Sequence, residues 1–531
     1  LSRIAAFALC VVVALLPRSF VKAASIAPVV FVPLDDRPVT LQLPVMLGEI
    51  AGRRVLTPPR AELGSYLAPG DPDEILRWLA SSATRNADAM IVSADMIAYG
   101  GLVASRAPSV APYTALTRLY ELAKLRRERP YASFDVFGTI MRLAPTGLPR
   151  LPSTQGYWAV DGTVDAIQAY ANLHDPPQGA QEEAQARAMR EKIGQATLDA
   201  YLASRARNRD ADLYLLQLVA AGSFDRLVLG QDDAGPIGLH VRDVAALAAR
   251  KQLLGLEGAR ASIEPGADEL GMVLLAAEFA RGVAWKPKVR VRYSRAGGEN
   301  VNDPLEFVPI DATISRLIET AGASRVADGA DVDLFVKVPR TGEQDESAFL
   351  DGIADGVRRH VGVAVADLTF LNAPDPSEEQ QRLAEELIAR GGAGAIDAFS
   401  SWNTTANTVG TSLAEAIAVG AGKRAHRYNA LAHARFMLNR YIDDYAFHQF
   451  VRPVLNRELR ASGADPTLLS PDAAEKASRK NSDALLRYAR WLSAAAYPRY
   501  QEAGVTFTLP WRRTFETQIH LELRDPMEKF K

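Results

Sequence analysis

Nine short apolar runs recur along the chain, separated by amphipathic stretches, and most of them break off at a carboxylate or an amide. Strands buried on both faces read as near-continuous apolar runs, and helical stretches between them are the mark of βα units on a parallel sheet. The predicted strands are Val29–Leu34, Arg54–Thr57, Ala89–Ser93, Phe134–Met141, Leu227–Gly230, Ala261–Glu264, Asp333–Val338, Val363–Ala366 and Ala395–Phe399. Helices are predicted between them at Asp71–Ser82, Ala111–Arg129, Glu182–Arg207, Val241–Leu254, Asp268–Arg281, Ser347–His360 and Glu378–Arg390. The fold class is therefore α/β, a parallel sheet with alternating helices. A modified (β/α)8-like barrel is favoured over an open doubly wound sheet.

The loops that follow parallel strands share one face, and ligand-handling groups gather there. The first run leads into Asp35, Asp36 and Arg37, and the third into Asp95 and Tyr99. Leu227–Gly230 leads into Gln231, Asp232 and Asp233, Ala261–Glu264 into Asp268 and Glu269, and Ala395–Phe399 into Trp402, Asn403, Thr404 and Asn407. Five such strand ends predict one polar pocket. Asp268 can equally cap the helix it opens, with Glu269 suiting the dipole of the first turn. Asp232 and Asp233 carry the strongest signal: adjacent desolvated acids raise one another's pKa, so one of them can donate a proton near neutral pH. Beside Trp402, the amides and hydroxyls of Asn403, Thr404 and Asn407 suit a sugar, which offers one apolar face and many hydroxyls. The other residues named complete the expected substrate wall.

Composition narrows the function. With 61 Lys+Arg against 63 Asp+Glu and no basic block, the chain lacks the electrostatic footprint of a nucleic-acid binder. Arg3, the apolar run Ile4–Leu16 and the small residues around Ala23 read as a secretory signal spanning 1–23, too short for a comfortable membrane span. An exported protein, periplasmic or extracellular, is expected. The single cysteine, Cys10, lies in that run, so the mature chain would have no thiol nucleophile or disulfide. There is no HExxH, P-loop or GxSxG sequence, and no cofactor is expected. Divalent-cation binding by Asp35, Asp36, Asp232 and Asp233 is the alternative, since hard cations take oxygen ligands.

An α/β body is expected over 24–422, with a helical insertion near 180–222. Residues 423–531 read as a helical segment ending in strands at Val505–Leu509 and Gln518–Leu523. The Pro- and Gly-rich stretch Ala144–Gly179 reads as a lid or a linker, and Asp443 and Asp444 as a solvated face or ion-pair partners.

Two blocks, Phe31 to Pro38 and Ser93 to Arg106, resemble the opening of the bacterial family labelled domain of unknown function 4127. So do Gly230 to Asp233, Gly266 to Glu269, Trp402 to Thr404 with Asn407 and Thr408, Arg440 to Asp444, Pro510 to Arg513, and Phe515 with Glu516. Ser401 stands where that family's pattern has Gly. The family name carries no activity. The Asp-Asp strand end with a later Trp-Asn segment is similar to the O-GlcNAcase-like hexosaminidases, which are (β/α)8 barrels. That resemblance implies Asp232 as the group orienting a 2-acetamido nucleophile, Asp233 as acid/base and Asn403 as a sugar contact. The chain is thus expected to be a glycan-active hydrolase, with a metal-dependent hydrolase and a non-catalytic carbohydrate-binding protein as alternatives.

Overall fold

The computed structural model describes residues 27–148, 158–159, 162–256, 258–339, 346–369 and 382–527. The expected signal at 1–23 and the middle of the 144–179 stretch lie outside the described residues. Strands β1 (Val29–Val32), β2 (Val55–Leu56), β3 (Ala89–Ser93) and β4 (Ser133–Ile140) are followed by a two-residue parallel pair, β5 (Gly147–Leu148) and β6 (Trp158–Ala159). Strands β7 (Arg226–Gln231) and β8 (Ala261–Pro265) complete a six-stranded sheet of order β2-β1-β3-β4-β7-β8, in which every pair is parallel. A second parallel sheet holds β9 (Lys288–Tyr293), β10 (Ser324–Arg325), β11 (Val332–Lys337), β12 (Gly362–Asp367) and β13 (Ala398–Ser401), in the order β10-β9-β11-β12-β13.

The α/β class holds, and the barrel does not: among the described residues the strands form two open sheets, and neither closes on itself. Each sheet reverses direction at its first strand, the doubly wound pattern in which ligands sit beyond the strands' carboxyl ends. Strand β9 escapes an apolar-run search because Lys288-Val-Arg-Val-Arg-Tyr293 alternates. Its Arg290 forms an ion pair with the fully buried Asp333 of β11, the neighbouring strand.

What the two sheets share is one apolar core. Phe31 and Phe137 from the first sheet and Val289, Leu334 and Ala364 from the second enclose the helices Leu43–Ala51, Leu270–Gly282, Ile310–Thr320 and Thr405–Arg424. The last of these is the central packing element. It is rich in Ala, Gly, Ser and Thr and nearly every residue is buried, so neighbours can approach its backbone closely. A Cβ at Gly410 would sit 2.5 Å from the side chain of Glu269, and one at Gly420 the same distance from the ring of Trp285. Its first two N–H groups are taken by side chains of the loop after β9: Thr405 N donates to Asp303 at 2.8 Å and Ala406 N to Glu306 at 2.5 Å. These two acids answer the orphan donors of the helix start and anchor the second sheet's loops near the first.

The outer face of the first sheet is covered by Pro72–Ala80, Pro112–Glu128 and Gln195–Ala220, so the insertion expected near 180–222 is a helical hairpin, Gly179–Ile193 with Gln195–Ala220. The C-terminal part is helical as read: Ala430–Arg440 runs into a π-helical stretch Tyr441–Val451, then Arg452–Ala461 and Pro471–Ala496. Strands β14 (Gln501–Thr508) and β15 (Gln518–Arg524) form an antiparallel hairpin on these helices. No helix of the described residues is long and apolar enough to cross a membrane.

Gly230 of β7 shows how tightly the strand ends are set. A Cβ there would lie 2.2 Å from the carbonyl oxygen of Gly266, backbone that has no rotamer with which to yield. Gly230→Ala should cost about 1–3 kcal/mol in urea-monitored unfolding, the usual penalty of overpacking. Unchanged stability would show that the β8 loop is not held where it is described.

Candidate active site

A cavity of about 250 Å³ opens at the carboxyl ends of the first sheet, walled by loops from both sheets and by the loop 509–517 of the C-terminal hairpin. Its organising group is Arg37. Nε donates to both oxygens of Asp35 at 3.0 and 2.9 Å, while Nη1 and Nη2 make a bidentate pair with Asp268 at 3.0 and 2.7 Å. Asp35 also accepts from the Thr40 hydroxyl at 2.6 Å. These donors outweigh the cost of burial, and its carboxyl titrates below the usual range. Asp268 therefore spends its carboxylate on Arg37 rather than on a helix cap, and the N-cap position falls to Glu269.

Asp36 points elsewhere. It accepts from the indole N–H of Trp511 at 2.6 Å and pairs with Arg60 at 3.3 Å, which pins the hairpin loop to the end of β1. Trp511 stacks on Tyr66 at 4.9 Å, and Arg513, itself paired with Glu516, lies 4.5 Å above the indole. Asp35 and Asp36 thus position the wall residues Arg37 and Trp511, and neither lines the cavity.

The two predicted catalytic acids have different surroundings. Asp232 is buried and held in an ion pair by Arg106. Asp233 is 41% exposed at the side chain and faces the cavity, with Arg142 at 3.5 Å, too far for a hydrogen bond. Withdrawal from bulk water and then the charge of Asp232 push its pKa up to about 6. The neighbouring Glu269 is fully buried between Gly266 and Gly410, and burial drives its pKa far up. Asn403, Thr404 and Asn407 line the cavity as read, Asn403 accepting from Thr404 N at 2.8 Å.

Four predicted residues lie elsewhere. Trp402 is 3% exposed and cannot serve as a sugar platform: the imidazole of His448 lies flat on its ring, centroids 3.3 Å apart. Its backbone is left-handed, φ 77°, a conformation costing a non-glycine residue roughly 1–2 kcal/mol. Asp95 lies beneath the pocket, where both oxygens accept from Thr139, N at 2.8 Å and hydroxyl at 3.0 Å. Burial raises its pKa to about 6. Tyr99 packs under Arg207, and Gln231 bonds to the backbone of Asp232 at 2.8 Å. Asp443 and Asp444, read as solvated or ion-paired, both pair with Arg440, and Asp444 is buried.

Sequence reasoning passed over the cations and the aromatic wall. Arg106, Arg142, Arg513, Trp511 and Phe515 all line the cavity. Arg106 ends one block of the family pattern and Pro510 to Glu516 forms another, so the signal was present for these. Arg142 carried none beyond following a strand.

The burial of Asp95 makes folding pH-dependent. A carboxyl whose pKa is raised in the folded state weakens that state once pH exceeds its unfolded value, and the cost fades as pH falls through the folded pKa. Wild type should therefore gain about 2 kcal/mol relative to Asp95→Asn between pH 7 and pH 4 in denaturant unfolding. Parallel stability curves would contradict it.

Neither curated proteins nor solved structures give a match to the chain. The family described as "Protein of unknown function (DUF4127)" matches residues 29–520, and the chain belongs to that family.

Proposed function

We propose that the protein is an exported glycan-active enzyme, a glycoside hydrolase in which Asp233 is the proton donor. One observation carries the reading: a cavity-facing carboxyl, Asp233, stands next to a second acid held in place by an arginine, a setting that pushes its pKa up to about 6. A general acid works best with a pKa near the working pH, protonated before the reaction and able to release its proton during it. Asp233 would donate to the leaving-group oxygen as the glycosidic bond breaks, and would then take a proton from the water that completes the hydrolysis at the anomeric carbon, which restores the acid. Asp232, fixed by Arg106, would orient the substrate's own nucleophile or steady the positive charge that develops on the sugar. The apolar sugar face would meet Phe515, the half-buried aromatic of the wall, in place of Trp402. A space of about 250 Å³ suits one ring rather than a chain, so the enzyme would act on terminal residues.

The two sheets repeat one strand order, which the carbohydrate-binding-protein alternative favours. A continuous core fills the space between them, however, where such a protein would have a cleft and a hinge. Divalent-cation binding is supported less: Asp35, Asp36 and Asp232 each have a cationic partner, and among the described residues no three acids, histidines or cysteines come together to hold an ion.

Hydrolysis of a panel of aryl glycosides, 2-acetamido sugars included, tests the proposal with EDTA present and absent. Asp233→Asn should lose at least about 100-fold in kcat while keeping its fold, with turnover indifferent to EDTA. Undiminished turnover in that variant would end the reading, and EDTA-sensitive turnover would favour the metal-dependent one.

A further inference from the structure

We infer that the substrate carries an oxyanion, a carboxylate or a phosphate on a body the size of one sugar ring, and that Arg142 is the residue that receives it. The inference rests on the cavity being the substrate site and goes on to name the class of molecule it takes.

Four guanidinium groups, Arg37, Arg106, Arg142 and Arg513, line a space of about 250 Å³. For three of them the protein supplies a carboxylate at close range: Asp35 and Asp268 for Arg37, Asp232 for Arg106, Glu516 for Arg513. Arg142 differs. Its Nε donates to the carbonyl of Ala144 at 2.8 Å, which fixes the direction of the side chain. Its nearest carboxylate is Asp233, at 3.5 Å, and no hydrogen bond to either Nη is present among the described residues. Burial and the neighbouring charge of Arg106 lower its pKa to about 10, the mark of a cation short of compensation. Partly buried guanidinium groups without partners are costly, and a planar fork of this kind matches carboxylate and phosphate geometry.

A second donor points the same way. The side-chain nitrogen of Asn407 lies in the cavity wall, is buried and has no acceptor among the described residues. A ligand that brings oxygen atoms satisfies it as well as Arg142.

The state of Asp233 links this anion site to acid catalysis. The groups around it are Asp232 and Asp268, which favour its protonation, and Arg142 and Arg106, which oppose it; Glu306, pushed up to about 8, feels the charge of Asp233 in turn. When Asp233 carries its proton, Arg142 loses the charge of the carboxylate nearest to it among the described residues, and the oxyanion of the ligand takes that place. In turn the ligand's negative charge holds the proton on Asp233. Anion binding and the proton-donating form therefore support each other, and affinity should rise as pH falls through about 6.

Titration calorimetry on the full chain tests this with glucuronate and acetate as carboxylates, glucose 6-phosphate and inorganic phosphate as phosphates, and glucose as the neutral control. At least one oxyanion should bind at least about tenfold more tightly than glucose, the scale of one charge-assisted hydrogen bond. The two arms show which oxyanion the site prefers. Glucuronate stays ionised across the range, so its affinity should rise about tenfold from about pH 7.5 to about pH 5.5, and less in Asp233→Asn. Arg142→Gln should lose the binding, and Arg142→Lys should keep part of it, which separates charge recognition from a folding defect. The inference is overturned if no oxyanion binds better than glucose, or if Arg142→Gln binds as wild type does. Oxyanion binding without hydrolysis of any glycoside would remove the hydrolase reading and leave this one. Turnover of neutral glycosides unaffected by Arg142→Gln would do the reverse.

Discussion

Arg37 holds the site together. Its guanidinium joins the loop after β1 to the loop after β8, although β3, β4 and β7 stand between those strands in the sheet. The sheet stays open, yet this cross-tie draws its rim inward and gives the cavity one of its walls. The same side chain lies 5.4 Å from the ring of Trp511, so the hairpin loop closes over an arginine whose own charge is already met by Asp35 and Asp268. Breaking a buried pair of this kind by removing one partner typically costs about 3–5 kcal/mol, because the other charge is left without compensation. The bonds around Arg37 thus serve folding and site assembly together.

A second constraint is the crowding behind the wall. The helix Thr405–Arg424 can lie between the two sheets only because small residues let Glu269, Trp285 and the Leu43–Ala51 helix approach its backbone. Its amino end, held by Asp303 and Glu306, carries Asn407 and follows directly on Asn403 and Thr404. The second sheet therefore takes part in the site through the position of one helix start and the strand end before it. Glu269, buried at the junction, transmits the packing of that helix to the β8 loop.

Much of this was legible in the sequence. Strands that are buried on both faces announced themselves as apolar runs, and β3 runs over Ala89–Ser93 as read. Strand β9 did not, because its arginines face partners on the next strand instead of a core. Closure was misjudged for a simpler reason: strand count and spacing are alike in a barrel and in two doubly wound sheets, and the reversal of strand order that separates them leaves no local trace. The expectation of one polar pocket at the strand ends held for Asp232, Asp233, Asp268, Glu269, Asn403, Thr404 and Asn407. It failed for Trp402 because a distant histidine, His448, occupies its face, a contact no local pattern encodes. Arg37 was named with its neighbouring acids and lines the cavity, whereas Arg106, Arg142 and Arg513 were overlooked because a charged residue in a sequence reads as solvated until a partner or a cavity is seen beside it.

The proposed chemistry turns on one carboxyl, Asp233, being kept protonated into the weakly acidic range by burial and the charge of Asp232, against the pull of Arg142 and Arg106. Its titration in the full chain, followed by NMR with carboxyl-labelled aspartate and assigned by the Asp233→Asn spectrum, tests that most directly. A midpoint near 6 is the result the account predicts. A midpoint near 4, the ordinary value for a solvated aspartate, would mean that the cavity does not isolate this group, and the acid on which the proposed chemistry depends would be absent.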